Sequence, residues 1–293
     1  MSSCTEHYTD VNGMTMCWFE WRADLREQGT TLLVHATGFH ARCWDQTIAH
    51  LPDRHIIAVD MRGHGRSSDN GPITWHTFSQ DLIEFVRAQD LRITVAAGHS
   101  MGGHCLTECL AAEQARFDRA VLVDPVILDP AHYQQTESEH TRFLDEAGNH
   151  PVAKRRNHFD SPEAMYQNFH GRGSFAVWED AVLRDYCDYG CLPNPEGAGY
   201  VLACPPKVEA TIYMTSSANN IYGVIGDISI PVTVLRAMER VGERSTMDFS
   251  LSPTWPGLAG CFANGRDVHL SELTHFLPMQ VPELVAAYIR GDR

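Results

Sequence analysis

The chain of 293 residues is 43% hydrophobic and 20% charged, as is typical of a soluble globular protein with one large domain or one domain that carries an insertion. Its net charge of −14 argues against nucleic acid and against an anionic membrane as partners. It has no apolar run near the roughly 18 residues that cross a bilayer. We expect a monomer or homodimer.

The cysteine and histidine content bears on compartment and metal binding. Nine cysteines are scattered without a C-x-x-C pair, and the first ten residues, MSSCTEHYTD, lack the basic and apolar regions of a signal peptide. We expect a cytoplasmic protein with reduced thiols. Sixteen histidines are dispersed without an H-E-x-x-H motif, so we expect neither a metal site nor a cofactor.

Short apolar runs alternate with amphipathic stretches along the chain. The segment MTMCWFEWR (14–22) predicts a leading antiparallel strand. Apolar runs without polar alternation indicate strands that are buried on both faces, as in a parallel sheet covered by helices. These runs are TLLVHA (31–36), HIIAVD (55–60), ITVAAG (93–98), RAVLVD (119–124), PVTVLRA (231–237) and DVHLSEL (267–273). With amphipathic helices expected at 77–89, 104–114 and 282–291, the pattern predicts a doubly wound α/β fold.

The alternation of strands and helices stops after Asp124 and resumes at Ile230. The intervening residues contain helix-like pieces but no buried strand, and such an insertion lies over the carboxyl edge of the sheet, where α/β proteins bind ligands. We expect a core of residues 1–125 and 228–293 and a mainly helical cap of residues 126–227. Two or three aromatic side chains of the cap should face a pocket. The candidates are Tyr166, Phe169, Phe175, Trp178, Tyr186, Tyr189, Tyr213 and Tyr222.

Residues 97–103 read AGHSMGG and follow directly on a predicted buried strand. A strand, a G-x-S-x-G turn and a helix together are the context of a nucleophile elbow, in which a strained serine stands clear of the sheet. Side chains at positions 98 and 102 would collide with neighbouring backbone, which explains glycine at both. Ser100 is therefore the candidate nucleophile.

A serine hydroxyl needs a base, which follows the final strand in elbow-containing folds of this kind. His275 stands at that place, whereas His269 lies inside the predicted strand and is rejected. The backbone amide of Met101 and the helix amino terminus would face the developing oxyanion. The loop after the first parallel strand should supply the second donor, for which we select the amide of Thr37.

Five motifs in order are similar to those of the α/β-hydrolase superfamily: LLVHATGFHARCW, AVDMRGHGRSS, AGHSMGG, AVLVDP and ELTHFLPMQVPE. Within that superfamily the chain resembles the cap-bearing serine esterase branch, which is related to epoxide hydrolases and haloalkane dehalogenases. Those two groups carry aspartate at the elbow, where this chain has Ser100. The resemblance implies an α/β-hydrolase fold, with a mostly parallel doubly wound sheet and a helical cap inserted after the strand that ends at Asp124.

The acid that orients the histidine has more than one candidate. Asp124 ends the strand after the nucleophile strand and needs no further loop geometry to reach the site. The commoner site in the family lies after the next strand, where this chain offers Glu239, Glu243 and Asp248 instead of an early aspartate. Asp124 is our first choice, and Asp248 is the alternative.

The resemblance implies a carboxylic-ester hydrolase that forms an acyl-enzyme on Ser100 and takes small to medium esters. Hydrolysis of C–C bonds, acyl transfer and perhydrolysis are alternatives on the same triad. A ligand receptor with slow turnover is an alternative of another class, because a fold does not fix a function.

Overall fold

The computed structural model describes residues 4–134, 144, 150–216, 219–239 and 249–293. Within these ranges, eight strands form one sheet in the order β1-β2-β4-β3-β5-β6-β10-β11. The strands are β1 (Thr5–Val11), β2 (Met14–Trp21), β3 (Thr30–Val34), β4 (His55–Val59), β5 (Ile93–His99), β6 (Ala120–Val123), β10 (Val232–Arg236) and β11 (Gly265–His269).

The sheet from β4 to β11 is parallel, and β1 and β2 add an antiparallel edge. The predicted doubly wound, mostly parallel sheet is thereby confirmed. Strand β1 was not predicted. Its hairpin turn, Asn12-Gly13, has φ values of 43° and 74°, which match the primed turns that join twisted strands. Seven residues with an exposed outer face carried too little apolar periodicity to indicate a strand.

Helices cover both faces of the sheet because its central strands are apolar on both sides. Leu32 of β3 packs with α2 (Trp75–Ala88) and α3 (Met101–Glu113) in one cluster of buried side chains. Its neighbour Leu33 packs on the opposite face with α1 (Asp45–Ala49) and α9 (Pro282–Arg290). Successive side chains of a strand alternate between faces, so an unbroken apolar run fills both cores.

The described residues between β6 and β10 form a separate layer. It contains α4 (Pro162–Phe169), α5 (Asp180–Gly190), α6 (Pro206–Thr215) and α7 (Tyr222–Ile225). A small antiparallel sheet of β7 (His158–Phe159), β8 (Cys191–Pro193) and β9 (Tyr200–Leu202) lies there as well, in the order β7-β9-β8. The sequence predicts no buried strand here, and these partly buried runs of two or three residues are too short to show a period.

This layer packs on the main sheet's carboxyl edge through a third cluster of buried side chains. Met165, Leu183 and Tyr186 of the layer join Phe276 and Met279, which lie next to and within α8 (Leu277–Gln280). The layer is thus anchored to the loop and helix that follow β11. The division into core and cap at residues 125 and 228 stays a prediction.

Candidate active site

Ser100 lies between the end of β5 and the start of α3, with φ 56° and ψ −117°. A Cβ on Gly98 would come 2.5 Å from the carbonyl oxygen of Gly102, and one on Gly102 would come 2.4 Å from that of Val34. Two glycines therefore permit the close crossing of helix and strand that holds Ser100 in this strained conformation.

His275 joins Ser100 to a buried carboxylate. Its Nε2 lies 3.0 Å from Oγ of Ser100, and its Nδ1 lies 2.6 Å from Oδ2 of Asp124. Asp124 is fully buried, whereas Ser100 and His275 are slightly exposed. The carboxylate can only accept a hydrogen bond when it is ionised, so Nδ1 of a neutral His275 carries the proton and Nε2 is free to take one from Ser100.

The other carboxylate oxygen of Asp124, Oδ1, accepts three hydrogen bonds. Oδ1 accepts hydrogen bonds from the Ser252 hydroxyl at 2.5 Å, the Ala237 amide at 3.0 Å and the Thr254 hydroxyl at 3.1 Å. These donors lie after β10, and no sequence motif marks Ser252 and Thr254 as part of the site. Their position in the loop beyond β10 was the available signal, since that loop must face the end of the neighbouring β6.

Of the other three acid candidates, the structure describes only Glu239. Glu239 is exposed and pairs with Arg236 at 3.0 Å, and its carboxylate lies 3.9 Å from His269. His269, which we rejected as the base, is the last residue of β11. Glu243 and Asp248 lie outside the described residues. The structure therefore brings Asp124, and not Glu239, to His275.

His99, which directly precedes Ser100, contacts the backbone of the histidine. Its Nε2 donates to the carbonyl oxygen of His275 at 2.8 Å. Burial, with the nearby imidazole of His275, lowers the pKa of His99 to about 3, so the ring is neutral at physiological pH. No pattern in the sequence predicts this contact, although His99 lies within the elbow motif.

The amides of Thr37 and Met101 lie in the loop after β3 and at the first residue of α3. Within the described residues neither amide donates a hydrogen bond to the protein. Two unused N–H groups next to a serine are available to an oxyanion. Thr37 lines the cavity described next, whereas Met101 is wholly buried.

A cavity of about 490 Å³ opens onto Ser100 and His275. Its walls come from the main fold and from the layer between β6 and β10, and nine of the described lining residues are Phe, Trp or Tyr. The side chains contributed by that layer include Phe169, Phe175, Trp178, Tyr186 and Tyr213. These are five of the eight candidates, so the expectation of two or three was too low. Aromatic side chains of the layer between β6 and β10 therefore form both the core of that layer and part of the cavity wall.

One part of this cavity is polar. Nη1 of Arg155 donates to Oε2 of Glu209 at 2.7 Å, and Nη2 donates to the Tyr186 hydroxyl at 2.6 Å. Burial raises the pKa of Glu209, an effect that the guanidinium opposes. The other carboxylate oxygen, Oε1, lies against Gly38, where a Cβ would come within 2.8 Å of it. This polar group, Arg155–Glu209–Tyr186, therefore stands beside the Thr37 loop.

Across the described ranges, no three His, Cys, Asp or Glu side chains come together in a way that could hold a metal ion. No helix in the same ranges is both long and apolar enough to span a membrane.

Comparison with known proteins places the fold. The lipase LipV of Mycobacterium tuberculosis is 27% identical over 264 residues, which are 89% of this chain and 91% of that protein. Esterase YbfF of Escherichia coli is 35% identical over 77 residues, 26% of this chain and 30% of that protein. The crystal structure of E-2-(acetamidomethylene)succinate hydrolase has a fold similar to this one, with a TM-score of 0.74 at 17% identity, over 99% of this chain and 98% of that one.

A family model described as the alpha/beta hydrolase family matches residues 31–287, from the second residue of β3 to within α9. That span includes the elbow, His275 and Asp124. On this match over most of its length, the chain belongs to the alpha/beta hydrolase family.

Proposed function

We propose that this protein is a carboxylic-ester hydrolase that works through an acyl-enzyme on Ser100, with His275 as base and acid and Asp124 as the orienting carboxylate. The observation that carries the proposal is the continuous chain of hydrogen bonds from Asp124 through His275 to Ser100, at the floor of a cavity. Relatives named as a lipase and an esterase support ester hydrolysis as the reaction class.

The chain of contacts accounts for acylation. Oγ of Ser100 attacks the ester carbonyl as its proton passes to Nε2 of His275, and the imidazolium is stabilised by Asp124. The negative charge on the carbonyl oxygen is taken by the amides of Thr37 and Met101. When the tetrahedral species collapses, His275 gives its proton to the leaving alcohol, and the acyl group stays on Ser100.

Deacylation repeats these steps with water. His275 takes a proton from the water as its oxygen attacks the acyl carbonyl, and the same proton returns to Oγ of Ser100 as the acid leaves. The layer between β6 and β10 acts as a cap in this scheme, since its aromatic side chains cover the serine and limit the water that reaches it.

The walls and the volume of the cavity limit which esters can bind. Aromatic walls favour an apolar acyl or alcohol group, and a cavity of about 490 Å³ suits small to medium groups. Arg155 and Glu209 neutralise each other, so the polar group presents hydrogen-bonding atoms without a net charge. An ester with a hydroxyl or amide near the scissile bond should therefore be favoured over one with a carboxylate there.

The test of the reaction is turnover of chromogenic esters of increasing acyl length by pure protein. We expect short- and medium-chain esters to be hydrolysed fastest, and Ser100→Ala to abolish turnover while the melting temperature stays nearly unchanged, since the side chain fills no core. Activity of Ser100→Ala within tenfold of wild type would refute the mechanism. Absence of turnover on every ester would favour a receptor.

The test of the substrate class compares three 4-nitrophenyl esters of similar size: butyrate, 3-hydroxybutyrate and hemisuccinate. We expect a higher kcat/KM for the hydroxy ester than for butyrate, and a lower one for the hemisuccinate. The Glu209 carboxylate accepts from a hydroxyl, whereas the neutral Arg155–Glu209 pair has no net positive charge to offset the cost of burying a second carboxylate. A preference for the hemisuccinate would show that Arg155 dominates the polar group.

A further inference from the structure

Two loops that meet beside Ser100 are joined by a pair of buried imidazoles. One loop follows β3 and the other follows β4. The amide of Met61 donates to Nε2 of His35 at 2.9 Å, and the amide of Gly38 donates to Nε2 of His64 at 3.0 Å. The connection is reciprocal, because each loop supplies one imidazole and one amide.

The second nitrogen of each ring fixes its protonation state. Nδ1 of His35 lies 2.7 Å from the carbonyl oxygen of Ala36, and Nδ1 of His64 lies 2.9 Å from that of Arg62. A carbonyl oxygen only accepts, so Nδ1 carries the proton in both rings and Nε2 is left with a lone pair. Burial lowers the pKa of His64 to about 4, which keeps the ring neutral at physiological pH.

These bonds hold both peptide planes that flank Thr37. The carbonyl of Ala36 accepts from His35 and from the Phe39 amide at 3.2 Å. Because a trans peptide is planar, the N–H of Thr37 points in the opposite direction. The next plane, between Thr37 and Gly38, is held through the Gly38 amide by His64. Because both peptide planes are held, the N–H of Thr37 is fixed in a single orientation.

We propose that His64 is a positioning residue for the oxyanion site, and that it acts through Gly38 to aim the Thr37 amide at the reacting carbonyl oxygen. This inference rests on the proposed function, in which that amide stabilises the oxyanion. His64 itself touches neither the substrate nor the reacting atoms, since it is wholly buried beneath the loop.

The size of the effect follows from how oxyanion stabilisation works. Removing one oxyanion donor costs about 10²–10³ in kcat, because the donor must lie at hydrogen-bond distance from where charge develops. Loss of the His64 anchor leaves the Thr37 donor in place but less well directed. We therefore expect a smaller loss, of about 10- to 100-fold in kcat.

Two variants and a pair of substrates test the proposal. His64→Phe removes the acceptor and keeps a planar ring, whereas His64→Gln returns an acceptor near the position of Nε2. The substrates are an ester and its thionoester, in which sulfur replaces the carbonyl oxygen. Sulfur is a weak acceptor, so the ratio of their kcat/KM values reports how well the oxyanion donors are aimed.

We expect His64→Phe to lower kcat by about 10- to 100-fold with KM within about threefold, and to lower the ester-to-thionoester ratio. His64→Gln should recover most of both. A His64→Phe variant with the kcat and ratio of wild type would overturn the proposal.

Two controls separate positioning from general destabilisation. His55 is equally buried, in β4, between the Thr30 hydroxyl and the Glu20 carboxylate at 2.9 Å each, away from both loops. His55→Phe should lower the melting temperature and leave the ratio unchanged. The Cys204 thiol also lies beside the Gly38 amide, and Cys204→Ala should leave the ratio unchanged because a thiol accepts weakly. An equal fall in the ratio for either control would overturn the role of His64.

Failure of the proposed function would show elsewhere, as wild-type protein without ester turnover or as an active Ser100→Ala variant. A measurement on wild-type protein keeps the inference testable in that case. Imidazole ¹⁵N NMR should show His64 as the neutral Nδ1–H tautomer at neutral pH. A protonated ring or the Nε2–H tautomer would contradict the Gly38 contact.

Discussion

At the scale of single residues, the proposed mechanism depends most specifically on the carboxylate of Asp124. Its Oδ2 faces Nδ1 of His275, and its Oδ1 is held by three donors, so the carboxylate has little freedom to turn. Asp124→Asn should lower kcat by about 10²–10⁴ because an amide favours the wrong tautomer of His275. Steady-state kinetics, with circular dichroism to check folding, measures this.

The matched control for that prediction is Glu239→Gln. Of the acid candidates other than Asp124, Glu239 is the one that the structure describes, and its exposed ion pair with Arg236 is worth about 1 kcal/mol or less. Its kcat should stay within about twofold of wild type, as expected for a charge with no contact to the site. If Glu239→Gln loses activity and Asp124→Asn does not, the acid has been misassigned.

The sequence indicated the residues whose types are demanded by chemistry, and missed those that support them. Ser100 lies in a motif, and His275 follows the last strand, so both could be named from chain order. Ser252, Thr254 and His99 act through contacts with Asp124 and His275, which depend on how separate loops meet. No local sequence pattern predicts which loops come into contact.

At the scale of elements, the crossing of β5 and α3 determines the elbow. Gly98→Ala places a methyl 2.5 Å from the Gly102 carbonyl oxygen, and its nearest neighbours are backbone atoms of Gly102 and Gly103 rather than a flexible side chain. We expect a loss of about 1–3 kcal/mol in the free energy of unfolding, together with a fall in turnover as Ser100 shifts. Gly223→Ala in α7 meets nothing within 4 Å and should be neutral or stabilising by about 0.5–1 kcal/mol. Urea unfolding compares the two, and equal effects would contradict the account of the elbow.

The long buried elements were predictable, and the short or half-exposed ones were not. Strands β3 to β6 are apolar on both faces, so their runs stand out from the turns around them. Strand β1 shows one face to solvent, and β7 to β9 have two or three residues each. Those strands exist because of their partners in the sheet, which sequence periodicity does not reveal.

At the scale of the whole molecule, buried neutral histidines should make the fold sensitive to acid. Burial lowers the pKa of His40 and His99 to about 3 and that of His64 to about 4, below the ordinary 6.5. Between these values the unfolded chain binds more protons than the folded one, so stability is complete above about pH 6.5 and falls as the pH drops toward 4. For His64 alone the full difference is on the order of 3 kcal/mol.

Buried carboxyls oppose this trend in part. Burial raises the pKa of Asp60 to about 6 and that of Asp185 to about 7, so their protonation favours the folded state over the same window. Among the described residues, burial lowers the pKa of six histidines and raises that of four carboxyls. We therefore expect a net loss of stability from pH 6.5 to 4.5, measured by urea unfolding across the range. Stability that rises steadily over this interval would contradict the neutral assignment of the histidines.

The central claim is that His275 activates Ser100 as a nucleophile, and covalent labelling tests it most directly. An organophosphonate that reacts with activated serines should modify wild-type protein once, at Ser100, as located by peptide mass spectrometry, because only a base-activated hydroxyl reacts at neutral pH. The rate should collapse in His275→Ala, with the adduct absent from Ser100→Ala. Labelling of His275→Ala at the wild-type rate, or an adduct at another residue, would contradict the account.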